Sequence, residues 1–186
     1  EYKHVPRFDS GSDESIDYLE REGYVIIKNA LTANEASKTL DLLWDYLENL
    51  GTGIDRANPM TWSDDKWPTC AHGGIIPSYG IGHSEAQWFV RGVPNVKKAF
   101  AKVWGTNDLL TSFDGVSLWR PWNIDPSWKT QSGQAWFHID QHPISKPGKQ
   151  CIQGLINLLP TSKEIGGNVV IPKSHNFFKD LPQEYK

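Results

Sequence analysis

The stretch Gln134-Ala-Trp-Phe-His-Ile-Asp140 is the part of the sequence on which the predicted fold depends. Its aromatic and β-branched residues, bounded by glycine and proline, indicate a β-strand. Similar stretches lie at Leu109–Trp119, Cys151–Leu158 and Asn168–Ile171. Because no helical pattern of about 10–15 residues separates these stretches, a parallel α/β sheet is disfavoured. The sequence predicts a mainly β fold, an antiparallel sandwich or barrel, with helices beside it.

The N-terminal part shows helical patterns around one short predicted strand, Tyr24–Ile27. The pair Thr32 and Glu35 has the spacing in which a hydroxyl and a carboxylate cap each other's backbone donors at the start of a helix. Leucines at helical spacing follow, so we predict a helix over Ala33–Leu50 that ends at Gly51.

A long stretch without periodicity, Thr52–Gly82, follows this helix. Such a stretch is either a lid or binding loop, or a surface excursion whose aromatic residues pack on the body of the protein. Ser84 and Pro94 then begin two shorter predicted helices. We expect one domain over residues 1–186, with a helical part over about 13–105 and jelly-roll-type strands over about 106–186.

Composition excludes several classes of protein. The chain has 186 residues with 19 Lys and Arg against 22 Asp and Glu, a net charge of -3, which argues against a nucleic-acid binder and favours small-molecule partners. No apolar run approaches the roughly 20 residues of a membrane span. The two cysteines, Cys70 and Cys151, lack metal or redox spacing, so we expect a soluble, intracellular, cytoplasmic protein. A single disulfide between them is the alternative. Dinucleotide, phosphate-loop and serine-nucleophile motifs are not found in the sequence.

His138 and Asp140 are the residues that most directly suggest chemistry. Residues two apart in a strand face the same side, so both side chains would project into the same space. Two histidines and one carboxylate on one face of Fe(II) leave three coordination positions open, and this pair supplies two of those three ligands. The alternative is a His and an Asp that simply hydrogen-bond to each other in a half-buried strand.

Three segments together resemble the phytanoyl-CoA dioxygenase family of iron(II)- and 2-oxoglutarate-dependent oxygenases. They are Glu22-Gly-Tyr-Val-Ile-Ile-Lys-Asn-Ala-Leu31, His138-Ile-Asp140 and Gly166-Gly-Asn-Val-Val-Ile-Pro-Lys-Ser-His175. The last is similar to the family's glycine-rich strand that leads to Pro-Gly-Ser-His, with Lys173 where glycine is usual. The resemblance extends over nearly all of the chain.

The resemblance implies a double-stranded β-helix, or jelly roll, and an oxidoreductase that uses Fe(II), 2-oxoglutarate and O2. Such a dioxygenase hydroxylates a small organic substrate while 2-oxoglutarate is decarboxylated to succinate and CO2. In the family a distal His and an Arg for the far carboxylate of 2-oxoglutarate follow the Pro-x-Ser-His turn. We therefore expect the chain to be part of a longer protein with the third His ligand and the last strands beyond Lys186; otherwise it is not a working oxygenase.

Other residues are candidates for the walls of the same site. Because side chains alternate between the two faces of a strand, Gln134 and Trp136 would share the face of His138. Gln134 is therefore a candidate for cofactor binding and Trp136 a candidate for the substrate pocket. Trp119 on the preceding predicted strand could lie beside the cosubstrate. Tyr79 occupies a region that approaches 2-oxoglutarate in similar proteins.

Two further histidines within the chain are alternatives for the third metal ligand. His142 lies just past the predicted strand beside Pro143 and would need a sharp bend, so a role near the metal or facing the substrate pocket is favoured. His175 sits in the turn similar to Pro-Gly-Ser-His, where the residue is not a ligand. The competing interpretation of the whole chain is a non-catalytic jelly-roll module that binds a sugar or a hydrophobic ligand on its aromatic-rich face.

Overall fold

A computed structural model describes residues 5–130, 137–162, 165 and 167–180. The helices are α1 (Asp13–Glu22), α2 (Ala33–Glu48), α3 (Glu85–Gly92) and α4 (Pro94–Trp104), with 3-10 turns at Pro59–Thr61, Ile81–His83, Pro126–Trp128 and Ser174–Phe177. The strands are β1 (Arg7–Phe8), β2 (Ile26–Ile27), β3 (Ile75–Ile76) and β4 (Val116–Ser117). No helix in these described ranges is long and apolar enough to cross a bilayer.

The prediction of a mainly β jelly roll is wrong. Helices dominate the described residues, and the four strands found there have two residues each and form two separate pairs. Among the described residues, β4 is the one strand found within the four stretches predicted for the jelly roll, and β2 lies within the short predicted strand Tyr24–Ile27. The physical reason is that β-propensity expresses packing against a neighbouring strand, and Leu155, Val169 and Ile171 remain more than half exposed. Their sequence fits a strand, but within the described ranges no ladder partner pairs with them.

The chain divides into two compact units. One takes its described residues from Glu1–Ala30, Lys98–Asn107 and Ala135–Lys186, and the other from Leu31–Lys97 and Asp108–Gln134. We call the first, built from three segments, the discontinuous unit, and the second, built from two, the central unit. The expectation of a single oxygenase-like domain over residues 1–186 stays a prediction.

The discontinuous unit is organised by α1 and the two strands that flank it. β1 and β2 pair in parallel, with Phe8 opposite Ile27. Phe8 and Tyr24 both pack on Tyr18 of α1, with ring centroids 5.1 and 5.7 Å away. The hydroxyls of Tyr18 and Tyr24 are 3.1 Å apart, and this hydrogen bond raises the pKa of Tyr18 to about 12. The aromatic contacts hold the helix against the strand pair.

The turn at residues 173–175 closes on the C-terminal end of α1. The backbone N–H of Lys173 donates to the Glu22 carbonyl at 2.8 Å, and His175 Nε2 donates to the Glu20 carbonyl at 3.0 Å. These bonds satisfy carbonyls that a helix end leaves without partners. Gly23 has φ 81°, and a Cβ built there would lie 2.3 Å from His175 Nδ1. Glycine is therefore required at this position by conformation and by contact.

The central unit is built on α2, whose capping box was predicted correctly. Thr32 and Glu35 make both reciprocal hydrogen bonds, and the helix begins at Ala33. Leu47 of α2 packs with four residues of the long stretch 52–82 to form the buried cluster Leu47, Ile54, Trp67, Ile76 and Ile81. β3 and β4 pair antiparallel beside this cluster, with Ile76 opposite Val116. The stretch without periodicity thus supplies most of this core.

Candidate functional site

His138 and Asp140 lie side by side in the discontinuous unit. His138 Nε2 is 3.4 Å from Asp140 Oδ1, and the two side chains are 43% and 54% exposed. The pair is on irregular backbone rather than on a strand. The spacing of two residues nevertheless brings an imidazole nitrogen and a carboxylate oxygen into one small volume that a ligand can reach.

The distance between these two atoms suits shared metal coordination. Two ligands bound at adjacent positions, each about 2.1 Å from one ion and at right angles, have donor atoms about 3.0 Å apart. The observed 3.4 Å needs only a small adjustment to reach that geometry. Imidazole and carboxylate are also the donor set of a non-haem Fe(II) centre. In the described part of the chain, no group of three or more His, Cys, Asp or Glu is placed to hold a metal, and the role of His138 and Asp140 as metal ligands stays a prediction.

Gln153 is a site residue that the sequence analysis missed. Its side-chain amide donates to Asp140 Oδ2, the carboxylate oxygen that does not face His138. Such a hydrogen bond fixes the orientation of a ligating carboxylate. The signal in the sequence was a polar residue inside the apolar stretch Cys151–Leu158, but the pairing with Asp140 depends on the folded chain.

The ring of His142 is engaged in a local turn. Its Nδ1 accepts the backbone N–H groups of Ile144 at 3.3 Å and Ser145 at 3.2 Å. The hydrogen-bond network therefore assigns the proton of a neutral ring to Nε2. Neither nitrogen then offers a free lone pair to a metal in this arrangement. The role of His142 in a substrate pocket stays a prediction.

Two of the other predicted site residues, Tyr79 and Trp119, belong to the central unit. Tyr79 has a left-handed backbone with φ 60°, and its carbonyl accepts the Tyr46 hydroxyl at 2.6 Å. The hydrogen bond between its own hydroxyl and Thr69, at 3.1 Å, lowers the pKa of Tyr79. The indole nitrogen of Trp119 lies against Gly74, where a Cβ would come within 2.3 Å of it.

The predicted roles of these residues in cofactor binding stay predictions. Gln134 and Trp136 lie outside the described residues. His138 and Asp140 belong to the discontinuous unit, whereas Tyr79 and Trp119 belong to the central unit.

Comparison with known proteins gives two informative relatives. The chain is 34% identical over 170 residues to "Ava biosynthesis cluster protein O" of Aspergillus versicolor, covering 91% of this chain and 53% of that protein. It is 26% identical over 200 residues to "Putative phytanoyl-CoA dioxygenase" of Dictyostelium discoideum, covering 88% of this chain and 56% of that protein. The resemblance to the phytanoyl-CoA dioxygenase family is confirmed.

The chain spans about half the length of these curated relatives. No family model matches the chain. No solved structure matches it either.

Proposed function

We propose that this chain is part of an Fe(II)- and 2-oxoglutarate-dependent dioxygenase that hydroxylates a small organic substrate. In this reaction 2-oxoglutarate is decarboxylated to succinate and CO2. The observation that carries the proposal is the approach of His138 Nε2 to Asp140 Oδ1 within 3.4 Å, in a chain similar to a protein named as a dioxygenase.

His138 and Asp140 would hold the metal as two of its three protein ligands. The third is a histidine that the family resemblance places beyond Lys186. Fe(II), when bound, would supply the oxidising chemistry of the reaction, and its open coordination positions would accept 2-oxoglutarate and O2. Asp140 contributes a negative charge that partly compensates the dication. Replacing it by a neutral residue would leave only neutral imidazoles as protein ligands, with no negative charge to compensate the dication.

Gln153 has the supporting role in this proposal. By donating to Oδ2 it keeps the Asp140 carboxylate turned so that Oδ1 faces His138. A carboxylate held in one orientation loses less rotational freedom when it binds a metal, so the site is partly organised before the ion arrives.

The direct test is anaerobic titration of the complete protein with Fe(II) and 2-oxoglutarate, followed by visible absorption and by the metal content after gel filtration. We expect a weak charge-transfer band and one iron per chain. His138→Ala and Asp140→Ala should lose both the band and the iron. Removing a residue that only supports a ligand lowers metal affinity about 10–100-fold, and removing a ligand itself should lower it further.

His142→Ala is the matched control, because it lies in the same segment but its Nδ1 is engaged with backbone N–H groups. It should keep the band and the iron. Normal iron content in both His138→Ala and Asp140→Ala would refute the assignment of the metal ligands. Circular dichroism of each variant separates loss of ligation from loss of folding.

A further inference from the structure

Arg120 of the central unit is held in an unusual environment for a charged side chain. Its guanidinium carbon lies 4.7 Å from the ring centre of Trp128 and 5.5 Å from that of Trp67, and the side chain is only 13% exposed. Nη1 donates to the Trp62 carbonyl at 2.6 Å, and Nη2 pairs with Asp64 at 2.5 Å. The two indoles and two acceptors fix the plane of the guanidinium.

A polar cavity of about 300 Å³ opens beside this guanidinium. Its walls include Asp64, His72, Arg120, Ser127, Lys129 and Thr130. Arg120 and Lys129 carry only donors, and Asp64 carries only acceptors. The His72 ring and the Ser127 and Thr130 hydroxyls can both donate and accept. A cavity of this size is at the lower end of the range for small-molecule sites.

The positive charges around the cavity are not fully compensated, which favours the binding of an additional anion. Arg120 and Lys129 are the cations, and the Asp64 carboxylate that pairs with Arg120 is 80% exposed to water. Asp125 also carries a negative charge near Arg120, but it accepts the backbone N–H and hydroxyl of Ser127. The guanidinium is therefore mostly buried while its main partner remains solvated, which is a weak form of charge compensation.

We propose that this cavity binds the carboxylate of a small organic acid, with Arg120 as the main recognition group and Lys129 as the second cation. An arginine has five N–H groups, and in the described part of the chain two acceptors for Arg120 are identified. The N–H groups of a guanidinium all lie in its plane, so those of Arg120 beyond the two bonds named are also directed within that plane. That geometry matches a planar, two-oxygen acceptor. This proposal is independent of the metal site at His138 and Asp140.

The alternative is that Arg120 only ties the segment at residues 62–67 to the segment at 120–128. The two ideas differ in what Asp64 does. If Arg120 is only structural, Asp64→Asn lowers the stability of the fold slightly, and no carboxylate binds to either protein. If the cavity binds a carboxylate, Asp64 competes with the ligand for the guanidinium, and Asp64→Asn should strengthen binding severalfold.

The experiment follows the indole N–H signals of the complete, ¹⁵N-labelled protein by NMR, with the Trp128 signal assigned through Trp128→Phe. Benzoate and 2-oxoglutarate are the carboxylate probes, and benzamide is the uncharged counterpart of benzoate. We expect saturable shifts of the Trp128 signal by benzoate, with a dissociation constant of about 1 mM, and none by benzamide. Saturation by 2-oxoglutarate alone would assign the cavity to the proposed cosubstrate and would overturn the proposal of a separate acid site.

Variants then test the residues. Arg120→Lys keeps the charge but removes the planar fork, and should weaken binding about tenfold. Lys129→Gln, at an exposed position that leaves the buried cluster intact, should weaken it about threefold. Arg56→Lys is the matched control, since Arg56 pairs with Asp41 at 2.6 Å on the surface of the same unit. No saturable shift with either acid, or unchanged affinity in both Arg120→Lys and Lys129→Gln, would overturn the proposal.

Discussion

Replacement of Gln153 by alanine gives a quantitative test of how the proposed metal site is organised. The substitution removes the amide that donates to Asp140 Oδ2 and leaves both proposed ligands in place. The carboxylate then rotates more freely, and the metal must fix its orientation on binding. We therefore expect weaker metal binding with unchanged stoichiometry.

The exposure of Asp140 sets the size of this effect. Loss of a residue that supports a metal ligand costs about 10–100-fold in affinity. The Asp140 side chain is 54% exposed, so water can replace the lost amide donor. The lower end of the range applies, a loss of about tenfold, which corresponds to about 1.4 kcal/mol.

The measurement is competition between the complete protein and a chelator of known affinity for Fe(II), under anaerobic conditions. Gln150→Ala is the matched control, because the Gln150 amide donates to the Pro147 carbonyl at 2.9 Å and not to Asp140. Gln150→Ala should bind iron as the unmodified protein does. Equal affinity in Gln153→Ala and the unmodified protein, or an equal loss in both variants, would refute the role assigned to this hydrogen bond.

Three further predictions concern stability and are measured by urea unfolding. Leu47→Ala, at a position 2% exposed, should destabilise the protein by about 3 kcal/mol through loss of buried contacts, whereas Leu110→Ala, at a fully exposed position, should cost less than about 0.5 kcal/mol. Lys173→Gly should stabilise by about 0.5–1 kcal/mol, because Lys173 has a left-handed φ of 65°; no gain would contradict this. Thr32→Ala should cost about 1 kcal/mol at pH 7. The bonds with Thr32 lower the pKa of Glu35 from 4.5, so their contribution is present above that value and is lost as the pH falls through the lowered pKa; the cost of Thr32→Ala should therefore shrink in acid.

Local signals in the sequence were sufficient to place the helices. Thr32 and Glu35 are three residues apart, so the contact that starts α2 is local in sequence and does not depend on the rest of the fold. Ser84 likewise accepts the backbone N–H of Gln87, and Pro94 is the first residue of α4. The end of α2 at Glu48, rather than Leu50, is the usual uncertainty of helix ends.

Non-local contacts were the part that the sequence could not supply. The apolar stretches after residue 106 have strand composition, but a strand exists only where another segment pairs with it. Ile54 and Ile81 lie in a stretch without periodicity, so the sequence pattern does not indicate that their side chains are buried. At the site, His138 and Asp140 were predicted to be close because they would lie on a strand, and they are close although the backbone there is irregular. The Gln153 contact depends on how two separate segments meet.

The hydrogen bond from His175 to the Glu20 carbonyl has a consequence for the order in which the chain acquires its structure. The two residues are 155 positions apart, so α1 leaves the ribosome long before its partner. At about 5–20 residues per second, the interval is roughly 8–30 s. During that interval the Glu20 and Glu22 carbonyls lack their partners at residues 173–175 and are open to water, while the central unit can already assemble around Leu47. The end of α1 therefore lacks these partners until residues 173–175 have been translated, and this interval gives chaperones an opportunity to bind the helix.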